Sequence, residues 1–229
     1  MATGSGYQNT NAAMSGTRSG AFRLRQLAPM ALACLLPMVG IAPAAQAQTV
    51  SATNGLSCLA DRMDNPTNLG CTANDFSHIV TAEAISAPAT CAAGSEITVS
   101  VQLTLQSNST DRYDLGLFMG EDGNNPAQLG GMCSVATFPE SPAPFADLDA
   151  GTQPADTCGD FNANGSSTVT IQNVRLTCTA GADGKLVMPY TLAYSQNTGG
   201  VCTGPGVVRA GTTSKCTGGT ASVSNVEVV

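Results

Sequence analysis

The segment Glu96–Gln106, EITVSVQLTLQ, alternates between apolar and polar residues along its whole length. Successive side chains of an extended strand point to opposite faces, so the apolar residues would share one face. Several of them are β-branched, which suits a pleated and half-buried strand. A helix would instead repeat its apolar residues every three or four positions. The segment therefore predicts a β-strand with one face in a hydrophobic core.

The same period recurs elsewhere in the chain. Tyr113–Met119 alternates in the same way, and Thr220–Val229 and Ser167–Cys178 each do so with one interruption. In that segment the apolar positions shift by one residue after Ile171, which predicts a β-bulge near Gln172–Asn173. Weaker alternation predicts further strands in Asp75–Ser86, Gly130–Phe138 and Gly184–Ser195.

About seven short strands, with turn residues between them and no convincing helical periodicity, predict an all-β protein. The architecture that we expect is a two-sheet antiparallel sandwich, Ig-like or prealbumin-like, stapled by disulfides. The expected organisation is a signal peptide over residues 1–47, an irregular segment over residues 48–70 and the β-sandwich domain over residues 71–229.

The first 47 residues are organised like a secretory signal peptide. Arg18, Arg23 and Arg25 precede an apolar stretch, and the small residues Ala45 and Ala47 follow it. Prolines interrupt the apolar stretch, and no other segment approaches the roughly 20 apolar residues that span a bilayer. We therefore expect cleavage near Ala47 and a mature chain without a membrane span, either secreted, on the cell surface or in the periplasm.

Eight widely spaced cysteines follow the predicted cleavage site. An even number of cysteines in an exported chain predicts up to four disulfides, although their spacing leaves the pairing open. Zinc binding is disfavoured, because the sequence has no C-x-x-C pair and a single histidine. The predicted disulfide cysteines are Cys58, Cys71, Cys91, Cys133, Cys158, Cys178, Cys202 and Cys216.

Residues 48–229 contain six basic and all sixteen acidic side chains of the sequence, which leaves a formal charge of −10. Such a charge repels nucleic acid and anionic membranes, so neither is expected as a partner. The sequence also has no tryptophan and few tyrosines, which disfavours an aromatic groove for carbohydrate.

Five short motifs are spread over the chain: Cys71–Asp75, Arg112–Gly116, Cys158–Asn162, Asp183–Leu186 and Ser214–Cys216. Together they resemble the motifs of a recurrent disulfide-rich β-sandwich domain of bacterial secreted and cell-surface proteins, whose function is uncharacterised. The resemblance implies an extracellular β-module and carries over no activity.

The stretch Asp160–Ile171, DFNANGSSTVTI, begins like a calcium-binding loop. An EF-hand would need glutamate at the twelfth position, which is Ile171, so an EF-hand is not expected. The favoured interpretation is a polar turn before a strand, because Asp, Asn and Gly stabilise turns. The alternative is a calcium site in the long connection Pro139–Gly165; no other cofactor is expected. The candidate calcium ligands are Asp147, Asp149, Asp156, Asp160 and Asn162.

No catalytic residue is predicted. Asp75 and His78 would point to opposite faces of a strand, and no nucleophile elbow accompanies them. Arg112 and Asp114 flank Tyr113, and we interpret them as a pair of surface charges that fixes strand register.

The expected function is an exported structural or interaction module, adhesin-like and without enzymatic activity. Its partners would be other surface proteins or further copies of itself. A second hypothesis makes the chain a subunit of a surface fibre that assembles through its C-terminal strand, Thr220–Val229. A third makes it a secreted hydrolase of unrecognised type, which paired carboxylates in a deep pocket would favour.

Overall fold

The computed structural model describes residues 48–83 and 89–229, so the predicted signal peptide over residues 1–47 lies outside the described residues. Strands dominate the described chain, whose one helix is a short 3-10 turn at Leu59–Arg62, and the all-β prediction is confirmed. The strands are β1 (Gln48–Ser51), β2 (Thr53–Ser57), β3 (Phe76–Glu83), β4 (Thr90–Cys91), β5 (Glu96–Ser107), β6 (Tyr113–Gly120), β7 (Met132–Thr137), β8 (Phe145–Ala146), β9 (Asp160–Phe161), β10 (Ser166–Thr177), β11 (Lys185–Ser195) and β12 (Cys216–Val228).

The main sheet follows the order β1-β10-β5-β3-β12-β11-β6-β7-β2, with β4 beside β12, while β8 and β9 form a small sheet of their own. β1 and β2 lie at opposite ends of this order, although only Ala52 separates them in the sequence. The two ends of the sheet therefore meet, and the nine strands form a nearly closed barrel. They are not clearly divided into the two separate sheets of the predicted sandwich.

Polar contacts connect the two ends of the sheet. Glu121, directly after β6, accepts a hydrogen bond from the Gly55 backbone N–H of β2 at 2.7 Å. The same carboxylate pairs with the guanidinium of Arg175 on β10 at 2.6 Å. The Ser134 hydroxyl of β7 accepts a hydrogen bond from the Arg175 backbone N–H at 3.0 Å. Strands β2, β7 and β10 are thus held together where the barrel closes.

Strands from both sides of the barrel bury their apolar residues in one core. The apolar face predicted for Glu96–Gln106 is buried, apart from the half-buried Ile97. In β10 the register shifts between Ile171 and Val174, and Asn173 has a φ of 61°. The predicted bulge is therefore confirmed, and it returns Val174 and Leu176 to the core.

All eight cysteines form disulfides, as predicted, and the pairs are Cys58–Cys133, Cys71–Cys216, Cys91–Cys178 and Cys158–Cys202. They close loops of 44 to 145 residues. By the chain-entropy model each such cross-link stabilises the fold by about 4 to 5 kcal/mol. Four disulfides fit an oxidising compartment outside the cytoplasm.

Residues 48–70, which were expected to be irregular, contain β1, β2 and the 3-10 turn. The sequence of β2, TNGLS, has a glycine with φ of 72° and no regular alternation, so its strand character comes from pairing with β7. In the described part of the chain, no helix is long and apolar enough to cross a membrane.

The long connection Pro139–Gly165 is attached to the barrel by aromatic packing and by a disulfide. Phe145 of β8 stacks on Phe138 at 5.2 Å between ring centroids, and it meets Phe161 of β9 edge-on at 5.1 Å. Cys158 joins the connection to Cys202 in the loop between β11 and β12. The connection is therefore a fixed part of the fold, and its aspartates are held in defined positions.

Candidate functional site

Five aspartates converge beside the long connection, and we name them the aspartate cluster: Asp114, Asp147, Asp149, Asp156 and Asp160. Oxygens of Asp147, Asp149 and Asp160 lie within 4.8 Å of one another. Asp114 and Asp156 complete the group, because their carboxyls interact with each other and with Asp149. All five are buried except Asp147, which is half-buried.

Asp160 of β9 fixes the geometry of the cluster. One of its carboxylate oxygens accepts a hydrogen bond from the Asp114 backbone N–H at 3.0 Å. The other accepts one from the Leu148 backbone N–H at 2.8 Å. A single side chain thus holds the start of β6 and the segment between Asp147 and Asp149. Asp114 has a φ of 53°, a left-handed conformation that aspartate adopts more readily than most residues.

Asp156 ties the cluster to the Cys158–Cys202 disulfide. Its two carboxylate oxygens accept hydrogen bonds from the backbone N–H of Cys158 at 2.8 Å and of Cys202 at 3.3 Å. Both sulfurs of this pair are oxidised, so the group of Asp156 with these cysteines offers no thiolate for a metal.

Burial and the repulsion between neighbouring carboxylates raise the pKa of three carboxyls of the cluster. Burial, together with the neighbouring Asp156, raises the pKa of Asp114 to about 8. Burial likewise raises the pKa of Asp160 to about 6, although hydrogen bonds from Asp114 and Leu148 oppose the shift. The pKa of Asp149 is also raised by burial and by Asp156. Among the described residues, no ion pair involves any member of the cluster.

A cleft of about 680 Å³ adjoins the cluster, and we name it the loop cleft. Its walls are Arg62–Asp64, Asn197–Cys202 and Gly206–Gly211, and Asp114 lines it as well. A Cβ at Gly199 would overlap a carboxylate oxygen of Asp114, so any larger residue here would displace that side chain. The cleft and the cluster thus share the Asp114 side chain.

Arg62 holds one wall of the loop cleft in place. Its guanidinium donates hydrogen bonds to the carbonyl oxygens of Pro205 at 2.5 Å and Val208 at 3.3 Å, and it lies 5.0 Å from the ring centre of Phe118. Burial lowers the pKa of Arg62 to about 10. Arg209, which also lines the cleft, forms an ion pair with Asp64.

The structure brings four of the five predicted calcium ligands together and places the fifth elsewhere. The Asn162 side chain donates a hydrogen bond to the Pro144 carbonyl at 2.8 Å, so it supports the turn that was the favoured interpretation of this stretch. Asp114 was not among the predicted ligands. It was interpreted as an outward strand residue, and no local pattern distinguishes it from one.

The other polar residues singled out from the sequence lie apart from the cluster. Arg112 is buried and pairs with Asp75 at 3.0 Å, so its interpretation as a surface charge beside Asp114 is wrong. His78 packs edge-on against Tyr190 at 5.6 Å, while Asp75 accepts hydrogen bonds from Arg112 and Tyr194. A Ser-His-Asp arrangement is therefore not built from Asp75 and His78.

The chain matches no protein-family model, and no curated protein or solved structure is significantly similar to it. Its function must be inferred from the site itself.

Proposed function

We propose that this protein is an exported, disulfide-stapled interaction module that binds another envelope or surface protein at the loop cleft. The observation that carries the proposal is a preformed cleft of about 680 Å³ whose rim exposes two large apolar side chains. Val201 is 47% exposed and Val207 is 51% exposed, and both line the cleft. Paired apolar residues at the mouth of a rigid cleft are suited to contact a protein partner.

The rigidity of the cleft supports binding rather than a purely structural role. The Cys158–Cys202 disulfide fixes one side, and Arg62 fixes the backbone at Pro205 and Val208. A cleft that is already ordered loses little conformational entropy when a partner binds. The acidic charge of residues 48–229 favours a partner with a basic or neutral contact surface.

The test uses fluorescently labelled residues 48–229, carrying their four disulfides, and intact cells of the producing organism. We expect saturable binding that the double substitution Val201→Arg with Val207→Arg abolishes. The matched control is Leu129→Arg with Met132→Arg, at positions that are 46% and 48% exposed outside the cleft. Equal binding by all three proteins, or no binding by the unsubstituted one, would refute the proposal. Sedimentation velocity identifies the case in which the partner is a second copy.

The proposed setting is extracytoplasmic, with cleavage of a signal peptide near Ala47. We also propose that the chain is related to the bacterial surface domain that its motifs resemble. As part of the same proposal, the barrel can be described as a sandwich of two groups of strands. In that description β1-β10-β5-β3 face β12-β11-β6-β7-β2, and among the described residues one backbone pair, Ala82 with Val223, links β3 to β12.

The fibre hypothesis receives less support from the strand that would be donated. β12 pairs with β11 on one side and with β3 and β4 on the other, within its own chain. Deletion of Thr220–Val229 is therefore expected to prevent folding. Export of a folded, truncated protein that no longer assembles would favour the fibre instead.

Hydrolysis is the second candidate function, and the observation that favours it is the pairing of Asp114 with Asp156 beside the cleft. Two adjacent carboxyls that share a proton are an acid–base pair of the kind that cleaves peptide bonds, whereas the paired carboxyls of glycosidases stand about 5 Å or more apart. Both oxygens of Asp156 already accept backbone hydrogen bonds, however, which limits its freedom as a base. Screening for peptidase activity, with Asp114→Asn as the inactive control, would decide between binding and hydrolysis.

A further inference from the structure

We propose that Asp147, Asp149 and Asp160 bind a calcium ion, and that the ion fastens the long connection Pro139–Gly165 to β6. This inference is independent of the proposed binding at the loop cleft, because it rests on different atoms. It goes beyond the turn that the sequence favours for this region.

The spacing of the carboxylates suits calcium. Oxygens of the three aspartates lie within 4.8 Å of one another. Calcium binds oxygens at about 2.3–2.6 Å, so ligands on opposite sides of one ion are separated by about 4.6–5.2 Å. A single ion can therefore contact all three side chains without a rearrangement of the backbone.

Buried oxygens without partners provide a second and independent observation. Asp149 is 3% exposed, and neither of its carboxylate oxygens has a hydrogen-bond partner in the described part of the chain. The backbone N–H groups of Gly199 and of Asp149 itself lie near enough to lower its pKa, but neither makes a hydrogen bond of good geometry. One oxygen of Asp147 is unpartnered as well. Burying such groups without compensation is costly, and a cation supplies the compensation.

The chemistry of the donors selects the ion. All three ligands are carboxylates, and hard oxygen donors favour calcium or magnesium over zinc. Asp149 and Asp147 belong to an irregular connection, which accommodates the variable geometry of calcium better than the strict octahedron of magnesium. Asp160 is already oriented by the N–H groups of Asp114 and Leu148, so the site is partly organised before the ion binds.

The position of the site defines what the ion would do. Asp160 accepts a hydrogen bond from the backbone of Asp114, the second residue of β6. The Asp114 side chain lines the loop cleft. The ion would neutralise Asp149 and Asp160, whose negative charges repel that of Asp114. Calcium would therefore stabilise the wall of the cleft together with the connection.

The direct test is calorimetric titration of residues 48–229, disulfides intact, after removal of metal with chelator. We expect one calcium site, at least tenfold weaker magnesium binding, and a rise in melting temperature of about 5 °C or more at a hundredfold excess over Kd. Sodium chloride at the same ionic strength is the control. No heat of binding and no shift in melting temperature would overturn the proposal, as would an equal shift with sodium chloride.

The substitution Asp149→Asn separates an ion ligand from a structural residue. It should weaken calcium binding at least tenfold while leaving the calcium-free melting temperature equal or higher, because it removes a buried, unpaired charge. The matched control is Asp183→Asn in the turn before β11, which removes the same charge away from the cluster and should bind calcium normally. Normal calcium binding by Asp149→Asn, or an equal loss in both variants, would contradict the assignment.

Terbium luminescence gives a readout that needs no ligand substitution. Terbium replaces calcium in oxygen sites, and Tyr113 directly precedes Asp114, whose backbone N–H bonds the proposed ligand Asp160, so Tyr113 should sensitise emission. We expect tyrosine-excited emission that calcium displaces and that Tyr113→Phe largely removes. Emission that calcium leaves unchanged would place terbium elsewhere and overturn the proposal.

Discussion

Arg112 and Asp114 lie on either side of Tyr113, but the two charged side chains have opposite surroundings. Arg112 is buried against Asp75, Tyr194 and the carbonyls of its own loop, with Lys215 3.6 Å from the same carboxylate. We name Asp75, Arg112, Tyr194 and Lys215 the ion-pair cluster. Its charges compensate one another, whereas no ion pair within residues 48–83 and 89–229 compensates those of the aspartate cluster. The first arrangement stabilises the fold, and the second leaves buried negative charge available to a ligand.

Each cluster also adjoins its own disulfide. Cys71 and Cys216 flank the ion-pair cluster in sequence, while Cys158 and Cys202 donate backbone hydrogen bonds to Asp156 of the aspartate cluster. Replacing Cys71 and Cys216 by alanine should cost about 5 kcal/mol, and replacing Cys158 and Cys202 about 4 kcal/mol, since the loops contain 145 and 44 residues. Urea unfolding measures both losses. Only the second pair should also lose calcium affinity, and equal affinity in both variants would contradict the contrast.

Removing Arg112 should be the most damaging single substitution in the ion-pair cluster. Arg112→Met leaves Asp75 without its buried partner, and the expected loss is about 3 to 5 kcal/mol in unfolding free energy. Lys215→Met is the control, because this longer and more exposed contact should contribute less than about 1 kcal/mol. The comparison would fail if the two substitutions cost the same in urea unfolding.

The contact between Gly199 and Asp114 probes the aspartate cluster from the cleft side. Gly199→Ala would place a methyl group 2.0 Å from an Asp114 oxygen, so the buried carboxylate must be displaced at a cost of about 1 to 3 kcal/mol. Gly200→Ala is a matched control, because nothing lies within 4 Å of its Cβ position. We expect Gly200→Ala to be neutral in thermal unfolding, and a similar loss in both variants would argue against a specific contact.

The smallest of these effects should be the pH dependence of stability that arises from the ion-pair cluster. Burial alone would raise the pKa of Asp75, but hydrogen bonds from Arg112 and Tyr194 outweigh it and hold the pKa below its usual value. Because the pKa is lower in the folded state, the ionised Asp75 carboxylate stabilises the fold. This contribution is fully present above the ordinary pKa of about 3.9, and it is lost as the pH falls through the pKa of the folded state. The stability difference between the unsubstituted protein and Asp75→Asn should therefore shrink below about pH 4. A constant difference from pH 2 to 7 would show that the Asp75 charge is not involved.

The sequence predicted those parts of the fold that depend on local pattern. Strand β5 and the bulge before Val174 follow from alternation and its interruption, which need no knowledge of the rest of the chain. The closure of the barrel could not be predicted, because β1 and β2 lack a strong pattern and gain their order from distant partners.

The same distinction applies to the aspartate cluster. Asp147, Asp149, Asp156 and Asp160 were grouped from the sequence because they share one connection. Asp114 comes from a different strand and joins them through a left-handed backbone that its sequence context does not indicate. The partner of Arg112 was missed for the same reason, since Asp75 lies directly before β3, far from Arg112 in the sequence.

The single residue between β1 and β2 has a consequence for how the chain reaches its native state. β1 pairs in parallel with Val169–Gln172, and β2 pairs with β7, so the first strands cannot complete their contacts until most of the chain is present. Pairings so distant in sequence form slowly, because a long loop must close before any contact compensates for the lost entropy. In a chain delivered from its N-terminus, β2 could pair once β7 is present, but β1 would stay unpaired until β10 arrives, so the closing of the barrel would be a late step of folding.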